Sequence, residues 1–355
     1  MTNPSFETLR DAIQPVSRPR RDVRATLCLV ILVAGLAGCA ATPVPPTPTA
    51  TMAPSVTPTM TPTHTATATA TPSVTATATP TSTPTASPTP VPLAVQVTLR
   101  NGQIEQGHTL VIEVTTNRPC QVTGHHEDIA IAFLQTGENR YTGLSGIRAL
   151  AEIGPRDMTI TARSHDGQEV ALGTQIQVLS GQYGHEVLSF SPSVAKLLEP
   201  EITRPELLRL AEVYGAFAPE IRWQGSFSWP WQGPVTSAYG TRRDYGGKLD
   251  SYHAGIDLDG VTGDPIAAPA AGIVVLADEL KVRGNAVIID HGAGVMSGLY
   301  HLSSIAVQEG DRVERGDKVG EMGATGLVTG SHLHWELRVG GVAVSAREWT
   351  QQAFP

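Results

Sequence analysis

A threonine- and proline-rich tract over residues 39–92 constrains the fold of this chain more than any other feature. Its Thr-Pro-Thr-Ala-Thr repeats hold few side chains that could fill a hydrophobic core. Frequent prolines favour extended polyproline II geometry, so we expect a disordered stalk with a reach of about 150 Å. Folded domains are therefore expected in residues 93–355, and a plain spacer between domains would make nearly the same prediction.

The segment before the tract, residues 1–38, is typical of an export signal. Several arginines precede an apolar run that is too short to span a bilayer comfortably. The run ends in Leu36-Ala37-Gly38-Cys39, which resembles the lipobox of bacterial lipoproteins. That resemblance implies cleavage before Cys39, lipid attachment to this cysteine, and a lipid-anchored location in the cell envelope, at the outer face of the cytoplasmic membrane. The alternative is an ordinary signal peptide in which Cys39 is incidental.

Composition excludes some classes of protein and of site. The net charge is −8, and no basic stripe lies beyond the N-terminus, which argues against nucleic-acid binding. There are only three cysteines, and Cys28 and Cys39 belong to the N-terminal segment. Because Cys120 then stands alone, we expect neither an intrachain disulfide framework nor a cysteine-based zinc site in the rest of the chain.

Residues 93–180 predict a β-sandwich of immunoglobulin-like type. Short alternating strands recur at roughly regular spacing between turn residues, a pattern typical of that fold. The run His125-His126-Glu127-Asp128 has the residue types of a metal cluster, but adjacent strand residues point to opposite faces, so we interpret it as a polar turn. The alternating apolar positions are Val95, Val97, Leu99, Leu110, Ile112, Val114, Met158, Ile160, Ala162, Ile176 and Val178.

Residues 181–222 predict a short helical connector. Thr203-Arg204-Pro205-Glu206 fits a capping box with proline in the first turn, and apolar residues at helical spacing follow over residues 207–214. An aromatic cluster comes next, which we interpret as core or lid packing rather than a sugar-binding platform: Trp223, Phe227, Trp229 and Trp231.

Residues 223–355 are again β-rich. Several short strands are continuous apolar runs, which indicates that both of their faces are buried. We expect these strands at residues 273–276, 286–289, 299–302 and 319–322. Histidines are concentrated here, with five of the 11 in the chain: His253, His291, His301, His332 and His334. Among them we interpret His291, next to Gly292, as structural.

Two of these histidines lie on one predicted strand. From His332 to Val339, polar and apolar residues alternate strictly, which is the period of a half-buried strand. His332 and His334 should therefore point the same way, about 6.5–7 Å apart at their Cα atoms. One imidazole could bind a metal while the other acts beside it, although a surface strand with two solvated histidines has the same pattern.

A second motif offers further ligands. His253-Ala254-Gly255-Ile256-Asp257 supplies an imidazole and a carboxylate, and its glycine favours a loop over a helix. With one histidine of the His332/His334 pair, three nitrogen or oxygen ligands are available. Three protein ligands plus water form an open, catalytic zinc site, and the absence of sulfur ligands disfavours a structural one.

Together these residues resemble a known family. His253-x-x-x-Asp257, Tyr300-His301-Leu302 and His332-x-His334 are similar to the three signature motifs of the lysostaphin-type, or LytM-like, zinc endopeptidases. Residues 235–240, 289–292, 310–313 and 323–326 resemble the surrounding family sequence in the expected order. The departures are small, since Tyr239 and Trp335 stand where phenylalanine is more usual and Ser331 where proline is.

The resemblance implies a mainly β peptidase domain over residues 223–355 and a role for each motif. His253, Asp257 and His334 should bind Zn²⁺, and His301 and His332 should be catalytic, one as general base and the other as electrostatic stabiliser. The implied function is a zinc metalloendopeptidase that cuts peptidoglycan stems or cross-bridges with a zinc-activated water. The implied partners are peptidoglycan peptides, and the membrane through the lipid anchor.

Two other interpretations compete with this one. Some LytM-like relatives have lost zinc ligands and act as non-catalytic activators of cell-wall amidases, whereas all the ligand positions are intact here. The pattern Gly310-Asp311-x-Val313-x-x-Gly316 also compares with biotinyl or lipoyl carrier domains, but the expected hairpin at residues 320–324 lacks the modified lysine.

Overall fold

The computed structural model describes residues 91–187, 196–244 and 249–355. The predicted export signal, the lipobox with Cys39, and all but the last two residues of the predicted stalk lie outside the described residues. Within them the fold is mainly β, which confirms the fold class. None of the described helices has the length and apolar character needed to span a bilayer.

The first eight strands form one sheet that folds over on itself. Strand β5 pairs with β4 through its first half and with β6 through its second half, so it belongs to two layers that enclose one apolar core. The strand order is β1-β3-β6-β5-β4-β7-β8-β2. The strands are β1 (Val95–Leu99), β2 (Gln103–Glu105), β3 (Thr109–Thr116), β4 (Cys120–His126), β5 (Ile129–Gly137), β6 (Arg140–Gly146), β7 (Gly154–Ser164) and β8 (Glu169–Leu179).

The alternation of apolar residues along these strands correctly predicted which side chains fill the core of the sandwich. The predicted inward residues Leu110, Ile112 and Ile160 are fully buried, as a period of two requires when one face packs inside. The predicted polar turn is confined to Glu127 and Asp128, because His125 and His126 are the last residues of β4, with His126 buried and His125 exposed.

The connector helix α1 spans Pro200–Tyr214 and begins four residues earlier than the capping box predicted, since that box would make Thr203 the N-cap. Its N-cap is Glu199, without a side-chain cap bond, and Pro205 lies inside the helix. The capping-box prediction was wrong because Glu206 is buried and binds a distant turn rather than its own helix end.

The remaining strands build a second large sheet in the order β10-β13-β21-β17-β16-β15-β19, with β22 beside β21. Two small sheets flank it, β12-β11-β9 and β14-β20-β18. The strands are β9 (His185–Val187), β10 (Val235–Ser237), β11 (Arg242–Asp244), β12 (Leu249–Tyr252), β13 (Ile256–Asp259), β14 (Pro265–Ala267), β15 (Gly272–Leu280), β16 (Gly284–Gly292), β17 (Val295–Leu302), β18 (Ser304–Ile305), β19 (Arg312–Val313), β20 (Lys318–Glu321), β21 (His332–Val339) and β22 (Val342–Val344). Helix α2 (Ala346–Gln351) follows.

Both faces of the central strands are buried, as their continuous apolar runs predicted. Val287 and Leu299 face a core that includes Trp223 and Phe227, which confirms core packing for these two aromatic residues. On the opposite face, Tyr300 packs with residues of helix α1. The helix therefore covers one face of the sheet.

The sandwich and the second sheet pack directly against each other. The Thr109 amide donates to Glu348 Oε2 at 3.0 Å, and Trp349 Nε1 donates to Thr109 Oγ1 at 2.9 Å. Gly146 fits here because a Cβ would meet Val342 and Val344. The contacts join β3 and β6 to β22 and α2, and the domain boundaries drawn from the sequence stay predictions.

Candidate metal centre

Strand β21 carries its polar residues on one face, as the alternation predicted. Leu333 and Trp335 are fully buried in the core on one side, while His332 and His334 point to the other. The neighbouring strand β13 pairs with β21 so that Asp257 lies opposite His334. Directly opposed residues share a face of a sheet. The register alone therefore brings a carboxylate next to an imidazole.

The third group comes from the loop between β12 and β13. His253 Nε2 lies 3.0 Å from Asp257 Oδ1 and 2.9 Å from His334 Nδ1. His334 Nδ1 lies 2.7 Å from Asp257 Oδ1. One atom of each residue thus meets at a common point, and the three side chains form a cluster that could hold a metal ion.

Hydrogen bonds to the remaining ring nitrogens decide the tautomers. His253 Nδ1 is 3.0 Å from the carbonyl of Ala238, and His334 Nε2 is 3.4 Å from Glu336 Oε1, so each of these nitrogens carries the proton. The two inward nitrogens then present lone pairs to each other and to the Asp257 carboxylate. Three acceptors this close repel one another unless a cation lies between them. The donor set therefore fits a metal ion.

The ionisation of His253 and Asp257 favours their ligand forms, whereas that of His334 opposes its ligand form. Burial lowers the pKa of His253 to about 4, against the opposing effect of Asp257. Burial alone would raise the pKa of Asp257, but the His253 and His334 imidazoles outweigh it and hold that pKa well below its usual range. Burial also opposes the charged form of His334, yet hydrogen bonds to Asp257 and Glu336 raise its pKa. Metal binding requires an ionised carboxylate and neutral imidazoles, so protons on His334 compete with a metal.

His301 and His332 lie beside this cluster. Their ring centroids are 5.0 Å apart, and the His301 ring is 5.9 Å from that of His334. His301 Nδ1 donates to the carbonyl of Thr325 at 2.8 Å, and His332 Nδ1 donates to that of Gly330 at 3.0 Å. In the neutral form of either ring, Nε2 is therefore the nitrogen without a proton. His332 Nε2 lies 3.8 Å from Asp257 Oδ1.

The backbone of His301 is held in a strained conformation. Its φ is 64°, in the left-handed region that non-glycine residues seldom adopt. The His301 amide donates to the carbonyl of Arg283 at 2.9 Å, which fixes this conformation. Burial, and then the neighbouring His334 and His332, lower the pKa of His301 to about 3. Backbone strain of this kind is concentrated at functional sites.

The remaining sequence candidate, His291, is away from the cluster. It is fully buried, with Nδ1 2.9 Å from the carbonyl of Ala271 and Nε2 2.9 Å from Ser297 Oγ. Both nitrogens have protein partners, which agrees with a structural role.

Supporting residues around the cluster were not predicted. Arg243 Nη2 lies 3.5 Å from Asp257 Oδ2, and its Nε donates to Glu186 at 2.7 Å. Ser237 Oγ lies 3.1 Å from His253 Nδ1. Glu336 had a sequence signal, because it lies on the histidine-bearing face of the alternating strand. Arg243 and Ser237 had none, since only tertiary contact brings them to the ligands.

Comparison with known proteins agrees with this geometry. Residues 251–346 match Peptidase family M23, a range that contains all three clustered residues and both flanking histidines. The C-terminal part of the chain is an M23 peptidase domain. A crystal structure of a putative peptidase M23 from Pseudomonas aeruginosa superposes with a TM-score of 0.53 at 25% identity, covering 70% of this chain and 95% of that one.

Two relatives differ in what their names describe. The peptidoglycan DD-endopeptidase ShyA of Vibrio cholerae is 43% identical over 94 residues, 26% of this chain and 22% of ShyA. The murein hydrolase activator NlpD of Salmonella typhimurium is 28% identical over 228 residues, 62% of this chain and 57% of NlpD. The matches therefore cover less than two thirds of either relative, and they include both an enzyme and an activator.

Proposed function

We propose that this protein is a zinc metalloendopeptidase that hydrolyses peptide bonds in peptidoglycan stems or cross-bridges. The observation that carries the proposal is the meeting of His253 Nε2, Asp257 Oδ1 and His334 Nδ1 at one point, with His301 and His332 beside it. A structural role would not need two further histidines next to the cluster, each held through Nδ1 by a backbone carbonyl.

Zinc is the metal that this donor set fits best. Two imidazole nitrogens and one carboxylate oxygen, without sulfur, are the ligands of hydrolytic zinc sites that keep one position open. Bound there, zinc would supply a Lewis acid for the scissile carbonyl and lower the pKa of a coordinated water.

The chain itself would hold the metal and move the protons. His253, Asp257 and His334 hold the ion, and Ala238 and Glu336 keep the two imidazoles in the ligand tautomer. The Nε2 atoms of His301 and His332 are the proton carriers. One of them accepts a proton from the attacking water and, as an imidazolium, returns it to the leaving amine, while the other, when protonated, stabilises the developing negative charge.

Two of the relatives support the proposed activity, and the N-terminal sequence supports the proposed location. The names of ShyA and of the DD-carboxypeptidase/endopeptidase Mpg of Neisseria meningitidis, 40% identical over 93 residues, both describe endopeptidases. A lipid on Cys39 and an extended stalk would place the peptidase domain in the cell envelope, within reach of the wall.

A second candidate function is activation of a cell-wall amidase. The alignment with NlpD covers more than half of this chain, beyond the M23 domain itself. An activator of this type would need neither the ligand cluster nor the flanking histidines, and the presence of all five residues favours the enzyme.

Zinc content and wall cleavage test the proposal together. The full chain is assayed for bound zinc by elemental analysis and for release of new amino termini from isolated peptidoglycan, with and without a cell-wall amidase. The same assays are run on His334→Ala and on a matched control, His125→Ala, which removes an exposed histidine of the sandwich.

We expect stoichiometric zinc and new amino termini in the parent and in the control, and loss of both in His334→Ala. Cleavage that persists in His334→Ala would contradict the metal assignment. A chain that binds no zinc, releases no termini and stimulates the amidase would be an activator.

A further inference from the structure

Helix α1 lies outside the residues that match the M23 family, yet it is joined to the metal cluster by buried charges. We propose that Glu206 of this helix is a positioning residue for the metal centre, acting through Arg283 on the ligand His334 and on His301. The inference rests on the proposed zinc site and deepens it, because it assigns part of that site to the connector.

The first step joins the helix to a turn between β15 and β16. Glu206 is 6% exposed, and its two carboxylate oxygens accept the amides of Val282, at 2.8 Å, and Arg283, at 3.2 Å. A buried carboxylate that accepts two backbone amides fixes a turn firmly, because loss of either bond would leave a buried polar group unsatisfied.

The second step runs through the Arg283 side chain to a metal ligand. Arg283 Nη1 donates to Glu206 Oε1 at 3.3 Å, and Nη2 donates to Glu336 Oε1 at 3.1 Å. That same Glu336 oxygen lies 3.4 Å from His334 Nε2. One planar guanidinium thus bridges the carboxylate of the helix and the carboxylate that orients the ligand.

The third step runs through the backbone of the same turn to His301. The carbonyl of Arg283 accepts the His301 amide at 2.9 Å, and the carbonyl of Val282 accepts the amide of Leu327 at 2.7 Å. The second bond anchors the loop whose Thr325 carbonyl accepts His301 Nδ1–H. Glu206 therefore supports His301 at two points, its strained backbone through the Arg283 carbonyl and its ring Nδ1 through the Thr325 loop.

The location of the linked buried charges Glu206, Arg283 and Glu336 argues against a purely stabilising role. Buried ion pairs contribute little net stability compared with apolar side chains of similar volume, because both charges lose their hydration. Here Arg283 lies over the Tyr300 ring, and Tyr300 stacks on His334, so the charges run along the face that carries the site. Their arrangement instead holds two functional histidines in place, as hydrogen-bonded partners of metal ligands do.

The experiment compares Glu206→Gln with Glu212→Gln in the full chain. Glu212 lies on the same helix but is exposed, so it is a matched control. Zinc affinity is measured by competition with a chromogenic chelator, and the visible absorption spectrum of the Co²⁺-substituted protein reports ligand geometry. Folding is checked by circular dichroism.

We expect Glu206→Gln to weaken zinc binding by about 10- to 100-fold and to alter the Co²⁺ spectrum, with the control unchanged. Unchanged zinc affinity and Co²⁺ spectrum in Glu206→Gln would overturn the inference while leaving the zinc site intact. An equal loss in the control would also overturn it, and absence of zinc from the parent protein would overturn the proposed function with it.

A second variant, Arg283→Lys, tests the same inference if Glu206→Gln does not fold. Arg283→Lys keeps the buried positive charge but lacks the planar fork that bridges Glu206 and Glu336. We expect the same loss of zinc affinity and the same spectral change. A folded Arg283→Lys protein with parental affinity would overturn the inference.

Discussion

The two β domains of this protein bury different kinds of residue. In the described part of the sandwich, His126 is the only fully buried side chain among the charged residues and histidines, and its burial lowers its pKa to about 4, which keeps it neutral. The connector and the M23 domain bury many more of them: Glu206, His253, Asp257, Arg283, Asp290, His291, His301, Glu336 and Glu348.

This difference shows where function constrains the fold. Burying apolar side chains, as in the core of the sandwich, stabilises a sheet more than burying charged ones, because charges lose their hydration when they are buried. The M23 domain nevertheless buries ionisable groups, and so loses their hydration, around His253, Asp257 and His334. The sandwich is thus built mainly for packing, while part of the M23 interior is built to hold charges in a set geometry.

The largest difference between the two domains is expected for a substitution at the metal cluster. Asp257→Ala removes a proposed ligand, so zinc content and peptidoglycan cleavage should fall to background. Asp157→Ala, on strand β7 of the sandwich, removes only a bond from Gln175 and should leave both unchanged. Elemental analysis and assay of new amino termini measure the result, and zinc retained by Asp257→Ala would contradict the assigned ligand set.

The next prediction compares a buried arginine with an exposed one. Arg283→Met leaves two buried carboxylates without their shared partner and should lower the free energy of unfolding by about 3–5 kcal/mol. Arg209→Met breaks an exposed pair with Asp278, whose side chains are 46% and 50% exposed, and should cost at most about 1 kcal/mol. Urea denaturation measures the free energy of unfolding of both variants. Equal losses would contradict the view that the buried charges of the second domain depend on one another more than the exposed pair does.

A core substitution in the sandwich should affect stability without affecting the metal centre. Ile160→Ala creates a cavity at a fully buried position and should cost about 2–4 kcal/mol. Because no contact of Ile160 reaches the ligand cluster, zinc affinity of the folded protein should stay at the parental value. Urea denaturation measures the loss of stability, and competition with a chelator measures zinc affinity. A lower zinc affinity in Ile160→Ala would show that the two domains are coupled more tightly than their contacts indicate.

The smallest effect concerns Glu348, at the contact between the two domains. Burial raises its pKa to about 8, against hydrogen bonds from Thr109 and Gln352. Between pH 4.5 and 8 the folded chain therefore keeps a proton on Glu348 that the unfolded chain has lost, so the contribution of this one carboxyl group to stability falls as pH rises through this range. Below pH 6.5 the buried histidines with lowered pKa values, His126, His253 and His301, contribute in the opposite direction, so the Glu348 contribution is measured as a difference between variant and parent.

The test of that prediction compares urea midpoints at pH 5 and pH 8. The change in midpoint from pH 5 to pH 8 should be more positive in Glu348→Gln than in the parent, because the amide does not ionise. Glu113→Gln, at a partly exposed position on strand β3 of the sandwich, should keep the parental change. A parental pH dependence in Glu348→Gln would show that another group is responsible.

Local patterns were informative where a residue's role depends on its strand or its motif. The alternation from His332 to Val339 predicted the strand and its two faces, and the continuous apolar runs predicted central strands buried on both sides. The ligand and catalytic residues came from motif resemblance, and the structure brings all five together, although their chemical roles stay predictions.

The capping-box prediction failed for a physical reason. The spacing of Thr203 and Glu206 is the same whether the glutamate caps its own helix or reaches a distant turn. Only the packing of α1 on the sheet places Val282 and Arg283 within its reach. The same holds for Arg243, which lies 14 residues from Asp257 in sequence and meets it only in the folded chain.

The sequence by itself thus determined the mainly β class, the apolar faces of the strands and the set of candidate ligands, because these depend on short-range periodicity and on residue type. Tertiary structure alone decided which nitrogen of each imidazole points inward, and how helix α1 is connected to His334. Those features depend on hydrogen bonds between residues that are far apart in the chain, and no local pattern records them.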